Sequence, residues 1–356
     1  MAEKKYSGDL PSLATWEQRD KSLRCPQCGK LKCYKEYFYA DGKPVDPINH
    51  LCGKCDHTTH CGYHLPPKEF FAKHPEQRQH PSLAAEKVVK IKRLPMIEIP
   101  REMVKATMKQ YEKNSFVRWL NTLPWTDDQK ERLNLAIAQY LVGTTKDGSV
   151  MWWQIDENVK VRTGKKMLYN PETGKRMKDE QGNSIGFNWA HTMLSKIGAI
   201  DIDGKELRQT LFGMHLAANE VYKDCSLHIV ESEKTAILMT AFDPESLTHK
   251  LWLATGGLYN LKIETLKPIL KRELILYPDK NGVELWEKKM KEQGIKAQLS
   301  TKWIEATIPE DGEGADIADV CLRRMLMTDE SRWQELLTKN EPIKMLAEAL
   351  DLKLIK

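Results

Sequence analysis

Cys25-Pro26-Gln27-Cys28 is followed by Gly29, and Cys52, Cys55 and Cys61 come soon after. Two thiolates on one tight turn suit a tetrahedral zinc ion, and the glycine relieves the backbone of that turn. A second pattern is Glu231-Ser232-Glu233, between the apolar run Leu227 to Val230 and a helical stretch from Lys234 to Phe242. Negative charge is welcome at a helix N-terminus, which accounts for Glu233. Glu231 falls instead at the carboxyl end of a strand, where α/β sheets place their sites. A third pattern sets Arg162, Lys165, Lys166, Lys175 and Arg176 among Trp152, Trp153 and Tyr169. Cations meet phosphates and rings stack on bases, so this mixture suits single-stranded nucleic acid.

The elements around the cysteines form a ribbon. Residues 33–51, "CYKEYFYADGKPVDPINHL", read as a hairpin turning at Asp41-Gly42, which brings the two cysteine halves together. Cys25 and Cys28 supply two ligands of a structural zinc site. Spacing alone picks Cys52 and Cys55 for the other two, and Cys55 with Cys61 is the alternative. His50, His57, His60 and His64 crowd the same stretch and could substitute. No open coordination position is evident, so the zinc is structural.

Further along, residues 101–123 and 126–142 read as helices, the second opened by Thr126-Asp127-Asp128. Residues 143–195 alternate and are punctuated by Asp147-Gly148 and Thr173-Gly174, which suggests antiparallel hairpins. From Leu227 onward strands and helices alternate: strands at 227–230, 250–255, 273–277 and 296–301, and helices at 234–242, 263–272 and 282–294. That order indicates a mostly parallel sheet.

Length and composition frame these parts. A chain of 356 residues with 41% hydrophobic and 29% charged residues is globular and too long for one ordinary core. The net charge of +5 permits nucleic-acid binding without demanding it. No apolar stretch is long enough for a membrane span, and the first twenty residues lack the apolar core of a signal peptide. A cytoplasmic location is expected, with reduced thiols and clustered cysteines serving metal. Cys225 and Cys321 read as buried apolar residues.

Three segments then share a resemblance. "IVESEKTA" (residues 229–236) resembles the first motif of the toprim domain of primases, a strand ending in Glu. "LILYPDKNG" (residues 274–282) resembles the second, an apolar strand running into Asp-x-Asp and Gly. "GADIADVC" (residues 314–321) resembles the acidic segment that follows them. "LATGG" (residues 253–257) and "QTLFGMHLA" (residues 209–217) also fit, and the resemblance covers about residues 205–325. A ribbon ahead of a toprim core repeats the layout of bacterial and plasmid primases, and of a zinc-ribbon plus toprim family associated with mobile elements. The ribbon of that family resembles Gly53-Lys54-Cys55-Asp56 and Cys61-Gly62-Tyr63-His64, which implies Cys25, Cys28, Cys55 and Cys61 as the zinc ligands.

The resemblance implies Glu231 as general acid or base and Asp279 as a metal ligand. Glu231, Asp279 and Asp316 would hold Mg²⁺, with Asp316 and Asp319 as outer carboxylates. Carboxylates at the ends of adjacent strands suit that ion. Tyr277 stands where the family has its first Asp, and Ser232 where it has Gly. One carboxylate fewer means weaker Mg²⁺ binding.

The expected architecture is α+β and α/β multidomain. It has a zinc β-ribbon (20–72), a linker (73–100), a basic α+β primase-like region (101–225), a Rossmann-like toprim domain (226–325) and a helical tail (326–356). The expected function is primer synthesis on single-stranded DNA, with a helicase or other replication proteins of a mobile element as partners. The alternatives are a catalytically degenerate DNA-binding accessory protein and a toprim nuclease.

Overall fold

The computed structural model describes residues 11–15, 19–39, 42–57, 61–75 and 94–352. Asp41 of the expected turn, His60 and most of the expected linker lie outside these residues. The chain forms two compact units, residues 1–91 and 92–356.

In the first unit four short strands pair antiparallel in chain order: β1 (Ser12–Leu13), β2 (Tyr34–Phe38), β3 (Gly53–Cys55) and β4 (His64–Leu65). Helix α1 (Pro67–Lys73) follows, with proline in its first turn where no N–H is needed. The ribbon has two small cores. Cys25, Cys33, Tyr34 and Cys55 form one, and Val45, Cys52 and Phe70 the other. Tyr34 is an interior residue of the first.

The second unit holds two sheets. The antiparallel one runs β5 (Gly143–Thr144), β6 (Val150–Ile155), β7 (Val161–Met167) and β8 (Asn188–Trp189). Ahead of it, residues 101–123 are not one helix. They break into α2 (Arg101–Thr107), a 3₁₀ turn and α3 (Ser115–Leu120). Gln110 takes a left-handed conformation, and the Asn114 side chain accepts from the N–H groups of Phe116 and Val117, starting a new helix. Helix α4 (Asp127–Gln139) opens on a Thr126–Gln129 capping box. Helices α5 (Ala190–Lys196) and α6 (Met214–Ala217) lead to the second sheet.

That sheet is parallel, in the order β10 (Lys250–Ala254), β9 (Ser226–Val230), β11 (Leu274–Tyr277), β12 (Gln298–Leu299). Helix α7 (Glu233–Phe242) joins β9 to β10. The expected helix at 263–272 is cut to α8 (Ile263–Leu266) and a 3₁₀ turn, because Pro268 offers no N–H to continue it. Helix α9 (Val283–Gln293) joins β11 to β12, and α10 (Ile317–Leu326), α11 (Asp329–Lys339) and α12 (Glu341–Ala349) close the chain. One buried core runs through both sheets: Trp152 and Tyr140 share it with Ile229, Leu253 and Leu276. The Tyr140 hydroxyl donates to the Trp252 carbonyl at 2.7 Å. Among the described residues no helix is long and apolar enough to cross a membrane.

Candidate active site and metal centre

Cys25, Cys28, Cys55 and Cys61 bring one sulfur each within 4.8 Å of one another. Cys25 and Cys61 Sγ are 3.5 Å apart, and Cys28 and Cys55 Sγ 4.0 Å. Two Zn–S bonds of about 2.3 Å at a tetrahedral angle separate their sulfurs by about 3.8 Å, so this donor set fits a zinc ion. Cys52 does not join it. Side chains alternate along a strand, so Cys52 and Cys55 face opposite sides, and Cys52 packs with Val45 and Phe70. His50 bonds Glu36 at 2.8 Å, and His64 bonds the Tyr37 hydroxyl at 2.9 Å.

The carboxylates gather in the second unit. Glu231 directly follows β9, and Asp279 follows β11 after Pro278. The two strands are neighbours, so both side chains emerge at one end of the sheet. Burial first, and then the influence of each carboxyl group on the other, shifts them, and both stand above the usual carboxylate range. Two such groups this close cannot both ionise freely, so the pair holds a proton or accepts a cation. Asp316 caps α10. Its side chain accepts from the Asp319 N–H at 3.0 Å, and Asp319 Oδ2 accepts from the Asp316 N–H at 3.0 Å. The Thr235 hydroxyl donates to Asp316. Burial, then the Asp316 carboxylate, pushes Asp319 up to about 6. Asp316 stands further out than the pair: the described donor groups of three or more within 4.8 Å are both built on cysteines.

Tyr277 closes β11 at this end of the sheet, but its side chain takes the other face. It shares a sheet face with His228 and Trp252, and its hydroxyl lies 3.1 Å from His228 Nδ1. Glu231, one residue past Val230, leaves on the other face.

The basic residues divide. Arg162 is buried, its Nε donating to Asp156 Oδ2 at 2.6 Å and its Nη1 to the Ile97 carbonyl at 3.1 Å. It braces the hairpin from inside, which corrects its expected place on a nucleic-acid surface. Trp152, Trp153 and Tyr169 are likewise core residues. Burying large rings in a two-sheet core outweighs exposing them to solvent. Lys165 is buried too, and its Nζ lies 2.8 Å from Glu233 Oε1 and donates to the Gly256 carbonyl. Gly256, at φ +76°, leaves this space open: a Cβ there would come 2.9 Å from Lys165 Nζ. Lys166 pairs with Asp147. Lys175 and Arg176 are exposed.

Sequence reasoning missed Lys234. Its Nζ donates to the Gly174 carbonyl at 3.2 Å and lies 5.0 Å from the Trp119 ring centre. Gly174, at φ +64°, packs so close to Trp119 that a Cβ would come within 2.1 Å of the ring. The Thr173-Gly174 turn is thereby tied to the first turn of α7, beside the carboxylates. A lysine directly after the Glu231-Ser232-Glu233 turn was the available signal.

Two families match parts of the chain. Residues 114–280 match a domain of unknown function (DUF6371). Residues 12–76 match a zinc beta-ribbon finger. With the cysteine cluster, that match supports structural zinc in the first unit. Among curated proteins none matches the chain. Three solved structures are similar at low identity. The primase fragment of the bacteriophage T7 primase-helicase protein is 13% identical, over 88% of this chain and 98% of that one, with a TM-score of 0.35. The E. coli primase catalytic core is 11% identical, over 68% and 88%, with a TM-score of 0.37. The Aquifex aeolicus primase, with its zinc-binding and RNA polymerase domains, is 11% identical, over 83% and 79%, with a TM-score of 0.32.

Proposed function

We propose that the chain is a primase-like protein whose second unit carries a toprim site for nucleotidyl transfer on single-stranded DNA. One observation carries this reading: Glu231 and Asp279 leave adjacent parallel strands and meet, both largely buried, at the sheet's carboxyl end. This is where the toprim-like segments of the sequence put their acidic residues.

Glu231 and Asp279 would hold Mg²⁺, with Asp316 as an outer carboxylate. Oxygen donors suit this hard cation, and a buried carboxyl pair that resists losing its last proton gains most from one. The ion when bound neutralises charge building on a phosphate. The chain's own groups do the rest. As a carboxylate, partly buried Glu231 would take the proton from a nucleotide hydroxyl, and once protonated it would return one, with Asp279 keeping the cation throughout. Ser232 Oγ accepts from the Thr235 N–H at 3.1 Å, and Thr235 in turn holds Asp316, so the turn keeps the acidic groups in place. The Lys165 charge stands beside Glu231. Lys175 and Arg176, on the turn anchored by Lys234, offer cations to a strand entering the site. A helicase or other mobile-element replication protein would be the partner.

The second reading is an accessory protein that binds DNA without synthesis. Tyr277 favours it: the position of the first acidic residue is turned to His228, so the site has one carboxylate fewer. Incorporation of labelled nucleotides on a single-stranded template, with Mg²⁺ or Mn²⁺, separates the two. Product that vanishes in Glu231→Gln supports synthesis. A folded, zinc-loaded, DNA-binding protein that makes none gives the accessory reading the lead.

A further inference from the structure

The ribbon carries more donors than one zinc ion needs. Besides Cys25, Cys28, Cys55 and Cys61, a second group of four lies within 4.8 Å of one another: Cys28, Cys33, Cys55 and His57. The two groups share Cys28 and Cys55. Cys33 is buried, and its Sγ is 3.6 Å from Cys55 Sγ. That is the spacing of two sulfurs on one tetrahedral metal, about 3.8 Å at Zn–S bonds of about 2.3 Å. Cys33 Sγ also lies 3.3 Å from the Lys30 carbonyl, and a thiol is a weak donor to it. Among the described residues, none gives the buried His57 Nδ1 a hydrogen-bond partner. A buried ring nitrogen without a partner is costly unless something binds it.

We propose that the ribbon holds two metal ions, bridged by the Cys28 and Cys55 thiolates, the first completed by Cys25 and Cys61 and the second by Cys33 and His57. Zinc is the ion these donors select, since thiolate and imidazole at tetrahedral spacing suit it. The charge agrees. One zinc on four thiolates carries −2 and leaves Cys33 a buried thiol. Two zinc ions on five thiolates and a neutral imidazole carry −1, and every buried donor of the cluster is used. The second ion also ties the loop after β3 to the residue just before β2, so it adds a cross-link to a unit with little core. This inference stands apart from the nucleotidyl-transfer reading, and neither depends on the other.

The test is the full-length protein loaded with cadmium-113 and examined by cadmium NMR, with zinc per chain measured in parallel. Thiolate-bound cadmium resonates far from cadmium on carboxylates, so the Glu231–Asp279 region does not interfere. Two thiolate-region resonances of equal intensity, coupled to each other through the shared sulfurs, are expected, with two zinc ions per chain. Cys33→Ser and, separately, His57→Ala should each weaken or remove the second ion and keep the first. The His57 variant leaves all five thiols in place, so it reports even if the Cys33 variant misfolds. A single thiolate resonance with one zinc per chain in the unaltered protein overturns the proposal. So do two resonances that both variants leave unchanged.

Discussion

Lys165 Nζ lies 2.8 Å from Glu233 Oε1, and both side chains are almost wholly buried. Lys165 comes from β7 of the antiparallel sheet and Glu233 from the first turn of α7 on the parallel sheet. One ion pair thus joins the two sheets at the mouth of the carboxylate site. Breaking it from one side should be severe. Lys165→Met leaves a buried carboxylate unpaired and is expected to cost about 3 kcal/mol or more in urea melts. Adding Glu233→Gln should recover much of that loss. Equal, additive losses in the double variant would contradict the pairing.

Tyr277→Asp restores the acidic residue that the toprim pattern has at this position. The side chain there faces His228 and Trp252, not Glu231. The variant is expected to lose stability by about 2 kcal/mol or more, by burying an unpaired charge among rings, and to gain no divalent-metal affinity. Tighter Mn²⁺ binding in a stable variant would show that Tyr277 does line the site. Tyr277→Phe, which removes only the hydroxyl, should cost about 1 kcal/mol.

His228 gives the fold a pH dependence. Burial first, then the nearby Lys250 charge, lowers its pKa to about 4. The unfolded chain, with histidine near 6.5, takes up the proton first as pH falls. The stability contributed by neutral His228 is therefore full above about pH 6.5 and lost between there and pH 4, on the order of 3 kcal/mol in all. The raised carboxyl groups titrate in the opposite sense, so the comparison is with His228→Gln. Urea melts at pH 7 and pH 4.5 should show a smaller fall for the variant. Parallel falls would remove His228 from the account.

Lys175 and Arg176 carry the exposed part of the proposed strand path. Replacing both by Ala should weaken single-strand binding, and reduce the slope of log affinity against log salt by about 1.4, at about 0.7 per phosphate on single strands. Arg162→Ala should instead lower stability, because Asp156 loses its partner inside the fold. A slope unchanged in the first variant and reduced in the second would reverse these assignments.

These contrasts show what the sequence made legible. The βαβ order from Leu227 was plain, because buried parallel strands read as apolar runs and β9, β10 and β11 are such runs. The Glu231 turn was visible because its carboxylate sits where the run stops. The choice between Cys52 and Cys61 as the partner of Cys55 was not separable by spacing, since it turns on Cys52 facing away from Cys55, into the core with Val45 and Phe70. Arg162 and Lys165 looked alike as surface cations. Their partners, Asp156 and Glu233, are brought to them by the hairpin and by a contact between sheets. The break in residues 101–123 turned on Asn114 as a helix cap, a local choice that helical periodicity does not report.

Manganese(II) binding, followed by electron paramagnetic resonance on the zinc-loaded protein and on Asp279→Asn, tests the central claim most directly. The expected result is one site that Mg²⁺ competes for and that Asp279→Asn weakens at least tenfold, with the fold unchanged by circular dichroism. Binding of equal strength in the variant, or no binding to the unaltered protein at millimolar Mn²⁺, would contradict the assignment of Glu231 and Asp279 as the cation site.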